Sequence, residues 1–136
     1  MAQAVGKKAE ESFFTGAFSS FSVDDLKEAK EFYGQILGLN VTETEEGLEL
    51  DIEGTPIFLY PKDDHEPATF TVLNFQVDDI DQAVNRLADH GIEFESYGGE
   101  LETDENGVFR GKEDGNGPNI AWFKDPAGNF LSVIEN

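Results

Sequence analysis

The chain repeats itself, and that repeat constrains its architecture more than any other feature. Phe21-Ser-Val-Asp-Asp-Leu26-x-x-Ala29 aligns with Phe75-Gln-Val-Asp-Asp-Ile80-x-x-Ala83, 54 positions later. Tyr33 falls on Leu87 at the same offset, and Gly38-Leu39 falls on Gly91-Ile92 after one deletion. An ordered match of this kind implies one supersecondary unit used twice. Each copy opens on a strand, residues 18–23 and 72–77, and turns into a helix through an acidic cap. Asp25 with Glu28, and Asp79 with Gln82, have the spacing in which a cap side chain accepts from a backbone N–H three residues on. Leu26, Ala29, Phe32, Tyr33, Ile36 and Leu37 then recur at helical spacing, as do Ile80, Ala83, Val84 and Leu87, so each helix buries one stripe. Gly38 and Gly91 close the helices, where a left-handed backbone is needed.

After the first helix the pattern predicts short strands at 41–44, 48–52 and 56–60, with tight turns at Glu46-Gly47 and Gly54-Thr55. That completes a βαβββ unit. The second copy continues with a strand at 93–97, a Gly- and Glu-rich excursion at 98–117, and strands at 119–124 and 130–134. The last two flank Asp125-Pro-Ala-Gly-Asn129, where Pro126 and Gly128 specify a hairpin turn. The expected organisation is α+β, with a flexible tail at 1–15 and a single domain over 16–136. Within it, module one covers 16–61, a linker 62–69 and module two 70–136. A chain of 136 residues is the usual size for one core.

Charge narrows the partners. The 29 acidic against 9 basic residues give a net charge of −20, a field that repels nucleic acid and anionic membranes. Only seven Lys and two Arg remain to bind phosphates, so a cationic or neutral ligand is favoured over a nucleotide. The same excess also serves as an ordinary solubilising surface. There is no cysteine, which excludes disulfides, thiolate catalysis and zinc-thiolate sites. No run approaches the ~20 apolar residues of a membrane span, and the first dozen residues lack the apolar stretch of a signal peptide. A cytoplasmic protein is expected.

Three segments carry a resemblance: Val23 to Leu39 (V-D-D-L-x-x-A-x-x-F-Y-x-x-x-L-G-L), Val77 to Ala83 (V-D-D-I-x-x-A) and Phe123 to Asn129 (F-K-D-P-A-G-N). Together they resemble the vicinal oxygen chelate superfamily, which includes glyoxalase I, extradiol dioxygenases, fosfomycin-resistance and bleomycin-resistance proteins. The resemblance covers roughly residues 17 to 135 and implies that the two modules form a cupped mixed sheet. In metalloenzyme members, four ligands face that cup. The corresponding positions here are Phe18, Val72, Ser132 and, near the end of the first module's last strand, Tyr60. Imidazole and carboxylate donors are missing from all four, so neither a metal nor another cofactor is expected. His65, in the charged linker, and His90, near a helix end, read as surface residues.

Strand alternation places Phe18, Ser20 and Ser22 on one face, with Phe21 and Val23 on the helix-covered other. The cup implied by the resemblance would inherit the first set, together with Phe58, Tyr60, Val72, Asn74, Gln76, Phe130 and Ser132. A glycine bulge in the Asp125 to Asn129 turn would set Trp122 opposite Ser132 and add it to the lining. Leu48, Leu50 and Ile52 alternate with Glu49, Asp51 and Glu53. If the apolar side meets the helix, Glu49 and Asp51 look toward the rim; a solvated outer strand is the ordinary alternative.

Aromatic rings with sparse hydroxyls and amides suit an organic ligand. The leading expectation is a metal-independent binding protein for a cationic or aromatic small molecule, without a covalent step. The resemblance further implies a homodimer. Two other readings stand beside it. One is a lyase, isomerase or dioxygenase-like enzyme using Tyr60, Glu100, Asp104 or Glu113 as an acid or base. The other is a regulatory or assembly module acting through its dimer surface.

Overall fold

The structure is a computed structural model that describes residues 13–135. Positions 1–12 of the expected tail lie outside the described residues. Module one runs β1 (Ser19–Val23), α1 (Leu26–Glu31), β2 (Asn40–Glu43), β3 (Leu48–Ile52) and β4 (Thr55–Pro61). Its sheet has the order β1-β4-β3-β2, with β1 parallel to β4 and the other pairs antiparallel. Module two repeats the plan as β5 (Thr71–Val77), α2 (Ile80–Asp89), β6 (Val108–Arg110), the short α3 (Gly111–Asp114), β7 (Asn119–Lys124) and β8 (Phe130–Glu135). The second sheet has the order β5-β8-β7-β6, again with its first and last strands parallel.

The predicted caps form. Asp25 accepts from the Glu28 N–H at 3.0 Å, and Asp79 from the Gln82 N–H at 3.0 Å. Gly38 and Gly91 take the left-handed backbone, with φ of 74° and 90°. One difference lies in the first helix, which changes after Glu31 into a π-helical turn over Phe32–Ile36. A π turn accommodates an extra residue, and here the consecutive Phe32 and Tyr33 are both buried.

The second difference lies in module two. Residues 93–97, expected as a strand, meet β7 only through the bridge Phe94 to Phe123 and a bond from the Glu95 N–H to the Trp122 carbonyl. The outermost strand comes instead from inside the excursion. Asp104 accepts from the N–H groups of Asn106 and Val108, both at 2.9 Å, and Gly107 has φ 86°. This side-chain-capped turn reverses the chain and delivers Val108 to Arg110 onto β7.

One core spans both modules. Val23, Tyr33, Leu48, Leu50 and Leu59 belong to the same buried cluster as Ile80, Val84, Phe123, Leu131 and Val133. A polar junction crosses it at the Asp125 to Asn129 turn. The Tyr33 hydroxyl donates to Asp125 Oδ2 at 2.7 Å. Asn129 donates its backbone N–H to Asp125 Oδ1 at 2.8 Å, and its amide to Asp125 Oδ2 at 3.0 Å and to the Ser22 carbonyl at 2.9 Å. The motif that reads as a turn is therefore also the joint between modules. Among the described residues, no helix is long and apolar enough to cross a membrane.

Candidate functional site

Register decides what each sheet face carries. In module one, Ser20 stands beside Phe58, Phe58 beside Glu49, and Glu49 beside Thr42. Ser22 stands beside Tyr60, and Asp51 beside Pro56. Cross-strand partners share a face, and the opposite face holds the buried Leu48, Leu50, Ile57 and Leu59. Glu49 and Asp51 thus lie among Ser20, Phe58 and Tyr60, as the alternation of β3 allows. A depression of about 370 Å³ on this side is lined by Phe18, Glu46, Glu49, Pro56, Ile57 and Phe58. The face is open, with Phe18 68% exposed and Tyr60 37%.

In module two, Asn74, Ser132 and Trp122 form one row across β5, β8 and β7. Trp122 does stand opposite Ser132, and Gly128 has φ 86° in the intervening turn. The indole meets Tyr97 edge-on at 5.4 Å between centroids and Phe109 at 6.4 Å. Phe130 is half-buried beneath Lys124, whose ammonium lies 5.0 Å from the ring centroid. Val72 sits where the β5–β8 register shifts. Ser132 is fully buried, and its hydroxyl donates to Asn74 Oδ1 at 2.5 Å, so Asn74 is the exposed member of that pair.

The four positions where metalloenzyme members carry ligands fail a test of donor chemistry. Phe18 and Val72 offer hydrocarbon, the Ser132 hydroxyl is committed to Asn74, and Tyr60 leaves a single phenol on the other sheet. A hard divalent cation wants several oxygen or imidazole donors converging on one point. These residues do not fit one. Among the described residues, no group of three or more His, Asp or Glu is placed to hold a metal.

The other candidates disperse. Glu100 and Glu113 are exposed on separate short turns. Asp104 serves its own loop: partial burial pushes its carboxyl up, but the Val108 and Asn106 N–H groups and the Arg110 guanidinium hold it below the ordinary value. Arg110 links that loop to α2 through Asp81. His90 is exposed, as expected, with Nδ1 2.8 Å from the Arg86 carbonyl.

His65 is not the free surface residue the linker suggests. It is half-buried, with Nδ1 2.6 Å from Ser22 Oγ and Nε2 2.9 Å from the Ala127 carbonyl. No spacing signal pairs Ser22 with a histidine 43 residues away. Only folding of the linker over β1 does so.

Comparisons with known proteins agree on the architecture. A glyoxalase family protein from Enterococcus faecalis is 22% identical, with TM-score 0.64, over 91% of this chain and 100% of that one. The genomically encoded fosfomycin resistance protein FosX from Listeria monocytogenes is 15% identical, with TM-score 0.66, over 92% and 95%. Lactoylglutathione lyase from Agrobacterium tumefaciens is 20% identical, with TM-score 0.62, over 92% and 96%. At such identities the likeness concerns the fold. No curated protein matches the sequence. The model of one family matches residues 17–133, nearly the whole of the duplicated region. With its paired βαβββ sheets and that match, the chain belongs to the Glyoxalase/Bleomycin resistance protein/Dioxygenase superfamily.

Proposed function

We propose that this chain is a metal-independent binding protein for a cationic, aromatic small molecule and that it acts as a cytoplasmic homodimer. The observation that carries the reading is the open face of module one, where Glu49 and Asp51 share a surface with Ser20, Phe58 and Tyr60, beside the exposed Phe18. Rings supply apolar area and stacking, and carboxylates favour a cation on a chain whose net charge is already −20. The corresponding surface of module two contributes Val72, Asn74, Trp122 and Phe130, with Ser132 holding Asn74 from behind. Exposed Phe18 and Phe70, each 68% accessible, favour a second copy covering part of this surface.

Calorimetric titration with matched cationic, neutral and anionic aromatic compounds tests the reading, with Trp122 fluorescence recorded in parallel. The cationic member should bind best, its association should slow as salt screens charges over ~8 Å, and Glu49→Gln with Asp51→Asn should weaken it about tenfold or more. Preferential binding of the anion, or indifference to the carboxamide pair, overturns the electrostatic assignment. Sedimentation should give twice the 15.0 kDa chain mass; a monomer at micromolar concentration removes the dimer.

A further inference from the structure

We infer that Ser22 and His65 form a nucleophile and general-base pair able to take an acyl group from a small carboxylic ester. The pair lies on the same face as the acidic residues proposed above for ligand binding, and its preference among esters rests on that reading, whereas acylation of Ser22 itself does not. Ser22 Oγ and His65 Nδ1 are 2.6 Å apart, within the reach required between a nucleophile and its base. The second ring nitrogen sets the tautomer. Nε2 lies 2.9 Å from the Ala127 carbonyl, which can only accept, so Nε2 carries the proton. In the neutral ring Nδ1 is then the acceptor facing the Ser22 hydroxyl. A base oriented by a third group completes the geometric signature of an activated serine.

The same turn positions both partners. Ala127 lies between Asp125 and Asn129, whose mutual bonds and the Tyr33 hydroxyl fix the loop. Asn129 also donates to the Ser22 carbonyl at 2.9 Å. One rigid turn therefore holds the imidazole by its Nε2 side and the nucleophile by its backbone, a preorganisation that a flexible linker alone would not supply. Both residues are only partly buried. Tyr60, the register partner of Ser22, lies on the same face and is a candidate donor to stabilise an oxyanion. Glu49 and Asp51 on that face disfavour anionic esters, and Phe18 and Phe58 suit an aromatic group.

The step balances without a co-reactant other than water. Ser22 Oγ bonds to the ester carbonyl carbon as its proton passes to Nδ1. The tetrahedral adduct collapses by breaking the ester C–O bond, and the leaving alkoxide takes the proton from Nδ1. Water, deprotonated by the same nitrogen, then cleaves the acyl-serine to release the acid and restore the hydroxyl.

The whole chain treated with p-nitrophenyl acetate, read by p-nitrophenolate release and peptide mass, tests this. The expected result is a burst of one p-nitrophenolate per chain, with an acetyl group found on Ser22 after acid quenching, followed by slower turnover as water clears it. Ser22→Ala should abolish the adduct. His65→Gln should slow it about 100-fold or more and flatten the pH profile, while the urea midpoint reports whether the variant is folded. Ser22→Cys should acylate if the position is accessible, which separates an unreactive serine from a shielded one. Acetylation of lysines alone, an adduct that persists in Ser22→Ala, or equal rates and pH profiles with and without His65 would each overturn the assignment.

Discussion

Replacing Tyr33 with Phe isolates the polar bond at the module junction. The substitution deletes one hydroxyl and leaves the ring contacts with Phe32 and Phe21, at 5.1 and 6.4 Å between centroids. The lost bond, 2.7 Å long, runs to the buried Asp125. Hydrogen bonds to charged groups contribute about 1.5–3 kcal/mol. Asp125 keeps its bonds from the Asn129 backbone and side chain, so it is not stranded, and the cost should be about 2 kcal/mol. For a urea slope of about 2 kcal/mol per molar, the unfolding midpoint should fall by about 1 M. The pH dependence adds a second signature. Burial first, then the Asp125 charge and the hydrogen bond to it, push the Tyr33 hydroxyl above the ordinary phenol value of about 10. The bond's contribution is thus complete below that value. Above it, the unfolded chain releases a proton that the folded chain retains, and stability falls by about 1.4 kcal/mol per pH unit for this group. The gap between the natural chain and Tyr33→Phe should be constant from neutral to mildly alkaline pH and close above about 10. Asp125→Asn, which turns an acceptor pair into one acceptor and one donor, should cost more, and the two substitutions should couple by about 1 kcal/mol or more in a double-mutant cycle. A midpoint within error of the natural chain, a gap that does not close at high pH, or additive substitutions would refute the role assigned to this bond.

Three further outcomes are expected. Gly47→Ala should destabilise by about 1–3 kcal/mol or more in urea unfolding, because a Cβ there would lie 2.1 Å from the Leu59 carbonyl oxygen, which is rigid backbone. Arg110→Met should cost about 1 kcal/mol at neutral pH, since Asp81 is over half exposed. The hydrogen bond from Arg110 lowers the Asp81 carboxyl, and Asp104 is also lowered, so their contribution is complete above the ordinary carboxylate range and lost as pH falls below about 4; acid titration of the variant should show a shallower loss. Raising sodium chloride from about 0.1 to 1 M, which shortens the screening length from about 10 to 3 Å, should raise the urea midpoint by relieving repulsion among charges that sum to −20. An unchanged or lower midpoint would contradict that.

The folding class, the duplication, both helix caps and the terminating glycines were readable from residue order, because they depend on interactions between residues three to eight apart or on a repeated pattern. The alternation in β3 likewise placed Leu48 and Leu50 opposite Glu49 and Asp51, since strand period is purely local. It did not say which side faced the core. That was decided by the registers that set Phe58 beside Glu49 and place Leu59 in the buried cluster with Tyr33. The excursion misled for a related reason: its turn is built by Asp104 and Gly107, and a strand of three residues carries too little periodicity to announce itself. The family resemblance picked out Phe18, Tyr60, Val72 and Ser132, and their lack of imidazole and carboxylate donors was then readable because side-chain chemistry does not depend on folding. Only the tertiary structure brought Tyr33 to Asp125 and His65 to Ser22. Those contacts close loops of 92 and 43 residues, and their geometry exists only once two sheets and a linker have packed together.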